Sequence, residues 1–379
     1  MPDTPRSLPP RVSANERLPA GHPILFEECL VADSMRAAPE RFSGALPTKA
    51  KKRRYWIMMG VLGLLALAVT AATLAWKSPV PISHPGFWAI SQLRASTLLV
   101  IAVVAFAQAT ATIAFQTVTN NRILTPSIMG FESLYRLVQT AAVFFLGAGG
   151  TAALTGTVPF LVQAAVMTGA AGLLYGWLLG GFGRGRDVSG HDLQITLLIG
   201  LVLGGGLGAL STFMQRLLTP SEFDVLTARL IGSIANADVR YLPIAIPLVL
   251  AAGGGLWAMG RRLNLMGLGR ETAVNLGLNH KRLLIGSLLL IAVLMAVSTA
   301  LVGPMTFFGF LTAMITYQLA DTFDHRLLFP MGVLVGYVIL AGSHFVLKNL
   351  FYAEGSVGII MEIVGGTFFL VYILRKGRL

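Results

Sequence analysis

After residue 55 the chain is built from mainly apolar segments separated by short polar breaks. Each segment is about as long as the roughly 20 residues that an α-helix needs to cross a bilayer. The pattern therefore predicts an all-α, polytopic membrane helix bundle with about ten transmembrane helices. The predicted segments are 56–76, 95–117, 127–149, 157–180, 192–213, 241–259, 283–303, 305–320, 327–347 and 357–374.

Two places interrupt this pattern inside apolar sequence. The break at 303–305, at Gly303-Pro304, is too short for a loop, so one of its two flanking segments is expected not to span fully. Polar residues and Pro126 interrupt the stretch 120–130. Non-helical backbone at such depth requires burial in protein or contact with water.

Small residues at every fourth position predict close helix packing at Gly172, Gly176, Gly180, Gly200, Gly204, Gly208, Gly332 and Gly336.

Composition supports a membrane solvent and indicates an orientation. Of 379 residues 55% are hydrophobic and only 12% are charged, with a mean hydropathy of +0.72. The net charge of +12 could suggest nucleic acid. The basic residues are dispersed between apolar segments, however, so no nucleic-acid partner is predicted. Their enrichment in alternate loops follows the positive-inside rule and predicts a multi-pass protein of the cell (inner) membrane with both termini cytoplasmic.

The first part of the chain differs from the rest. Residues 1–54 are rich in Pro, Arg, Glu and Ser without sustained periodicity, which predicts a disordered cytoplasmic tail. A start codon assigned too far upstream is an alternative explanation. Residues 55–379 form the predicted transmembrane domain, with a cytoplasmic loop at 260–282.

Side chains that could carry chemistry are scarce. The single Cys29 and the spacing of the six histidines predict no metal site. No catalytic set and no Walker A motif occur, so catalysis and ATP binding are not expected of this chain. Glu132 and Arg136, at i and i+4, are expected to form a structural pair or to line a substrate path.

The basic loop is the most informative segment. Gly269 and Gly277 bracket a stretch with good helix chemistry, which predicts a short cytoplasmic helix over 270–276. Ala273 and Leu276 are expected on one face of it.

Several motifs resemble the FecCD family, the permeases of bacterial ATP-binding cassette (ABC) importers for ferric siderophores, haem and cobalamin. The stretch GRETAVNLG is similar to the family's L-G-[DE]-E-[AT]-A-x-x-L-G, and DHRLLFP matches its D-H-R-x-L-x-P. Further similar stretches follow in the family's order. The stretches are 121–130, 269–277, 303–311, 324–330 and 355–369.

The resemblance implies the type II importer fold, with ATP hydrolysed on separate subunits and no cofactor on this chain. The implied partners are a second permease, two cytoplasmic ATPases and a periplasmic or lipid-anchored siderophore-binding protein. The segment 125–135 is closer to the catecholate-siderophore branch, which favours a heterodimer over a homodimer. The implied ATPase-coupling residues are Gly269, Arg270, Glu271, Thr272, Ala273, Leu276 and Gly277.

Docking of the binding protein is expected to use basic residues on the outer face. The family's R-L-P-R reads Ser91-Gln92-Leu93-Arg94 here, so Arg94 is its retained arginine. The other candidates are Arg216, Arg229 and Lys348. The implied cargo is a ferric siderophore, with haem or cobalamin as alternatives. An ion-coupled secondary transporter is the competing class, and the scarcity of midplane carboxylates argues against it.

Overall fold

A computed structural model describes residues 44–76, 85–127, 130–153, 156–180, 190–234, 237–349, 351 and 357–376. These residues form helices joined by turns, with no strand among them. The helices are α1 (Lys49–Ala75), α2 (Pro85–Val118), α3 (Phe131–Ala153), α4 (Thr157–Gly180), α5 (Gly190–Gln215), α6 (Pro220–Leu230), α7 (Leu242–Ala258), α8 (Gly260–Met266), α9 (Arg270–Asn275), α10 (His280–Val302), α11 (Phe308–Ala320), α12 (His325–Asn349) and α13 (Val357–Lys376).

Each of the ten predicted segments overlaps one of these helices, although the bounds differ by up to about ten residues. Within the described residues, seven helices are long and apolar enough to cross a membrane, and α4 and α11 contain shorter apolar helices. Helix α11 has 13 residues and reaches only about 20 Å, whereas a bilayer core is about 30 Å thick. The short segment expected at the Gly303-Pro304 break is therefore α11.

Helix α2 lies at the centre of the bundle. Its residues from Val100 to Gln116 are almost all buried, because α7, α10, α11 and α12 pack around it. The predicted glycine packing is confirmed at Gly332, where an added methyl would collide with Ile113, and at Gly336, where it would lie 3.5 Å from Ala105 Cβ. Backbones in close contact give the van der Waals attraction that holds helices together in lipid.

Both predicted interruptions are present, and each contains a run of buried residues. The first separates α2 from α3, and Thr125, Pro126 and Ser127 within it are buried in protein. The second covers residues 303–307 between α10 and α11, where Gly303, Pro304 and Met305 are buried. These buried residues fit the rule that non-helical backbone in a bilayer is surrounded by protein or water.

The outer faces of several helices are apolar and uncovered. Leu64 and Leu67 on α1, Val202 and Phe213 on α5, and Ile363 on α13 are among the most exposed of these side chains. Exposed apolar surface on this scale indicates contact with lipid or with another subunit.

The chain divides into two units, Met1–Lys52 and Arg53–Leu379. Of the first unit the structure describes residues 44–52, which contain the first turn of α1. Most of the predicted tail, residues 1–43, lies outside the described residues, so its disorder stays a prediction.

Candidate functional site

Two non-helical stretches meet the first turn of α13 and form what we term the backbone crossing, defined as residues 231–234, residues 302–307 and Gly358. The N–H of Ser233 donates to the carbonyl of Val302 (2.8 Å), and the N–H of Gly358 donates to the carbonyl of Gly232 (3.0 Å). A methyl on Gly303 would lie 2.9 Å from the Cα of Gly232, and one on Gly232 would overlap the Pro304 carbonyl oxygen. Only glycine allows the two backbones to approach this closely.

Glu132 joins this crossing from the first turn of α3. The side chain is 8% exposed, and its Oε2 accepts a hydrogen bond from the Thr306 hydroxyl at 2.5 Å. Arg136, which we expected to pair with Glu132, is exposed and no ion pair joins the two side chains. The two side chains therefore form no direct ion pair, because Glu132 is directed towards the crossing while Arg136 faces outward.

A cavity of about 670 Å³ lies beside the backbone crossing. Its walls are mainly apolar and come from α3, α4, α6 and the end of α10, with Ser233 and Gly303 at the crossing itself. Gln139 donates to Gln163 at 3.0 Å within this wall, and the Tyr135 hydroxyl donates to the Arg229 carbonyl at 3.0 Å. Because lining residues such as Val158 are exposed, the cavity is an open apolar cleft beside the backbone crossing.

Helix α6 directly precedes residues 231–234 of the backbone crossing. Hydropathy did not predict this helix, because it is short and polar. Its signal is Thr219-Pro220-Ser221-Glu222, a capping-box pattern with proline at the first helical position. The Thr219 backbone N–H and hydroxyl both donate to Glu222 Oε2, at 3.0 and 2.8 Å. Both hydrogen bonds lower the pKa of the exposed Glu222 carboxyl, and the bond from the backbone N–H has the larger effect.

Arg94 has a role in the fold that differs from the expected docking. Its Nη1 donates to the carbonyls of Thr73 and Leu74 in the last turn of α1 and to that of Trp76 just after it, at 3.0–3.2 Å. A cation at a helix C-terminus satisfies carbonyls that lack an intrahelical partner. Arg94 therefore fixes α1 against α2, and this contact competes with the docking role predicted for it.

The other predicted docking residues lie at helix ends. Arg216 directly follows α5 and is exposed, and Lys348 lies exposed in the last turn of α12. Arg229 is half-buried on α6 and lines the cavity. Arg216 and Lys348 present their charges at the surface, whereas Arg229 is half-buried in the wall of the cavity.

Replacing Arg94 by Ala should lower the free energy of unfolding by about 2 kcal/mol, because three carbonyls lose a charged donor. Thermal unfolding in detergent measures this loss. Arg216→Ala is the matched control, and its exposed side chain predicts a change below about 0.5 kcal/mol. Equal melting temperatures for Arg94→Ala and the parent would contradict the capping role.

The predicted short helix of the basic loop is present as α9. Gly269 precedes it with φ +93°, and Gly277 ends it with φ +82°. The Leu278 N–H donates to Ala273 O and the Gly277 N–H to Val274 O, which together form a Schellman motif. The structure thus confirms the helix and the capping function of Gly277.

The two apolar residues expected on one face of α9 separate in the structure. Ala273 is fully buried in this chain, so the expectation that it is available to a partner is wrong. Leu276 is 58% exposed, and Leu268 and Val274 are exposed beside it. Ala273 holds α9 on the bundle, and these three side chains form an exposed apolar surface.

Polar side chains connect α8 to two long helices in what we term the α8–α12 cluster, defined as Thr117, Asn264, Asp324 and His325. Asn264 Oδ1 accepts from the backbone N–H of His325 (3.0 Å) and lies 2.6 Å from its Nδ1. Asn264 Nδ2 donates to Asp324 Oδ1 (2.9 Å), and His325 Nε2 lies 2.7 Å from the Thr117 hydroxyl. The D-H-R motif was visible in the sequence, but its partners Asn264 and Thr117 carry no sequence signal.

The described residues contain no group of three or more His, Cys, Asp or Glu side chains that could hold a metal ion. The polar side chains of the backbone crossing and of the α8–α12 cluster bond mainly to one another. Their arrangement suits positioning of helices better than catalysis.

Comparisons with known proteins agree with this architecture. The model of the FecCD transport family matches residues 58–376. The petrobactin import system permease protein FatC of Bacillus anthracis is 41% identical over 354 residues, which cover 93% of this chain and 98% of that protein. The petrobactin import system permease protein FatD of the same organism is 27% identical over 197 residues, covering 51% of this chain and 57% of that protein.

A solved structure has the same fold. It is a metal-chelate-type ABC transporter in an inward-facing conformation, with a TM-score of 0.70 and 23% identity over 84% of this chain and 99% of that chain. With its apolar helices, its two buried helix interruptions and this family match, the chain is a multi-pass membrane protein that belongs to the FecCD transport family.

Proposed function

We propose that this chain is the transmembrane permease subunit of an ABC importer that carries a ferric siderophore into the cytoplasm, with ferric petrobactin as the first candidate. The observation that carries the proposal is the 41% identity with FatC over nearly the whole of both chains. Haem and cobalamin remain the alternative cargoes of the same architecture.

The proposed orientation places both termini in the cytoplasm of a cell whose inner membrane holds the protein. The basic loops that favour this orientation include α8, α9 and the start of α12. The α8–α12 cluster agrees with the proposed order of spans, because Thr117, Asn264 and His325 lie together and must share one side of the membrane.

The proposed energy source is ATP hydrolysed on two separate cytoplasmic subunits, with no cofactor on this chain. Helix α9 is the proposed contact for an ATPase subunit. Its support is the exposed apolar surface of Leu268, Val274 and Leu276 on a loop that also carries Arg270 and Glu271. Charged residues around an apolar centre are typical of protein–protein contacts.

Two further partners complete the proposed assembly. The second permease is proposed as a different chain, because FatC and FatD are two distinct permeases of one import system and both resemble this chain. A siderophore-binding protein is proposed to dock from outside, with Arg216 and Lys348 better placed than Arg94 and Arg229.

Uptake of radiolabelled ferric petrobactin tests the proposed cargo. A strain that lacks this gene should regain uptake when the gene is restored, and ferric enterobactin, haem and cobalamin should serve as competing cargoes. Restored uptake of ferric petrobactin that depends on ATP supports the proposal. Restored uptake of cobalamin or haem alone, or uptake that needs only an ion gradient, would overturn it.

A further inference from the structure

Helix α9 is only weakly attached to the bundle by its own side chains. It has six residues, and Ala273 is the only one of them that is buried. Glycines with positive φ stand at both ends, at Gly269 and Gly277. A force applied to α9 by a partner must therefore pass through the neighbouring chain to reach the transmembrane helices.

On the N-terminal side that neighbouring chain is α8, which Gly269 joins to α9. The N–H groups of Gly267, Leu268 and Gly269 donate to the carbonyls of Leu263, Leu265 and Met266, at 3.0–3.1 Å. The Ala273 N–H then donates to the Gly269 carbonyl at 3.0 Å. Gly269 thus bonds to α8 through its N–H and to α9 through its carbonyl, and it joins the two short helices into one unit.

Asn264 is the polar side chain through which this unit holds the bundle. Asp324 is a carboxylate and accepts hydrogen bonds, so the Asn264 amide nitrogen must face it and the amide oxygen must face His325. The same oxygen accepts from the His325 backbone N–H, and therefore Nδ1 of His325 carries a proton and donates as well. The contact has one orientation, which makes it stiff and specific.

His325 extends the contact to the centre of the bundle. Its Nε2 meets the hydroxyl of Thr117 in the last turn of α2, while its backbone starts α12. Further along α2, Gln108 Nε2 donates to Ser298 on α10 at 3.1 Å. Gly332 and Gly336 of α12 pack directly on α2. A displacement of α8 is thereby passed to α2 and α12 together.

We propose that Asn264 and His325 are positioning residues that couple movement of α9 to movement of α2 and α12, so that ATP hydrolysis on the partner drives transport. This inference rests on the proposed function, because it needs an ATPase that binds α9. It assigns a mechanical role to a contact that would otherwise serve only stability. A side-chain hydrogen-bond network between packed helices is one physical means of carrying such coupling.

The test uses the full assembly in proteoliposomes, with both permeases, the ATPase and the binding protein. Radiolabelled ferric petrobactin is supplied bound to the binding protein. Asn264→Ala and His325→Ala should retain bound ATPase, yet transport per ATP hydrolysed should fall about tenfold. In the double variant, transport per ATP should fall no further than in the more impaired single variant, because the two substitutions disrupt the same contact. Thr117→Val keeps the shape of the side chain and should show the same defect. It provides the test if the alanine variants fail to fold.

Tyr337→Phe is the matched control. It removes a hydrogen bond of similar length, 2.7 Å to Thr70 Oγ1, on the same helix α12 but away from α8. Its transport per ATP should equal that of the parent. A parental ratio in Asn264→Ala and Thr117→Val, or an equal loss in Tyr337→Phe, would overturn the inference. Failure of the parent chain to bind the ATPase would instead overturn the proposed function.

Discussion

Replacing Leu276 by Asp should separate the permease from its ATPase and abolish uptake. Leu276 is 58% exposed at the C-terminus of α9, so its side chain is available to a partner. An interface that covers it would bury an unpaired carboxylate in the variant, at a cost of about 3 kcal/mol or more and on the order of a hundredfold loss of affinity. Co-purification of the ATPase and uptake of radiolabelled ferric petrobactin measure the two effects.

Leu217→Asp provides the matched control for this substitution. Leu217 is also 58% exposed, but it follows α5 and lies on the proposed outer side. The same change of side chain there should leave ATPase binding at the parental level. If Leu276→Asp binds the ATPase and transports as the parent does at equal membrane level, α9 is not the coupling helix.

Replacing Gly232 by Ala should prevent formation of the native bundle. The added methyl would overlap the carbonyl oxygen of Pro304, which is held in place by the buried break between α10 and α11. Relief requires the two backbones to move apart, which would also break the hydrogen bond between Ser233 N–H and Val302 O. We expect a loss of about 3 kcal/mol or more, seen as a lower melting temperature and little uptake.

Gly286→Ala is the control for the glycine substitution. Gly286 lies in α10, and a methyl there would meet nothing within 4 Å. Because Ala has a higher helix propensity than Gly, this variant should be as stable as the parent or slightly more stable. A Gly232→Ala protein that melts and transports like the parent would show that the backbones are not in contact at the crossing.

The local pattern of the sequence predicted much of the fold. Long apolar segments produced helices because in lipid each segment must satisfy its own backbone hydrogen bonds. The cap of α9 was equally local, since Gly277 can adopt the positive φ that a Schellman motif requires. Helix α6 was missed because its length and polarity resemble a loop, although its capping box at Thr219 and Glu222 was readable.

The sequence alone could not assign partners to the polar side chains. Glu132 and Arg136 have the spacing of a helical ion pair, yet Glu132 bonds to Thr306, which is 174 positions away. Arg94 looked like an exposed docking residue and instead satisfies the end of α1. A buried carboxylate accepts a hydrogen bond from the donor that the tertiary fold places beside it. The carbonyls at a helix end likewise accept from a nearby cation.

By itself the sequence determined that the protein is a membrane helix bundle, where most of its helices lie and where two of them are interrupted, because these properties depend on hydropathy and on proline and glycine over short distances. Only the tertiary structure decided that Gly232 meets Gly303, that Ala273 is buried while Leu276 is exposed, and that Asn264 holds His325. These contacts join residues distant in the chain. Their formation depends on how whole helices pack, which no local pattern specifies.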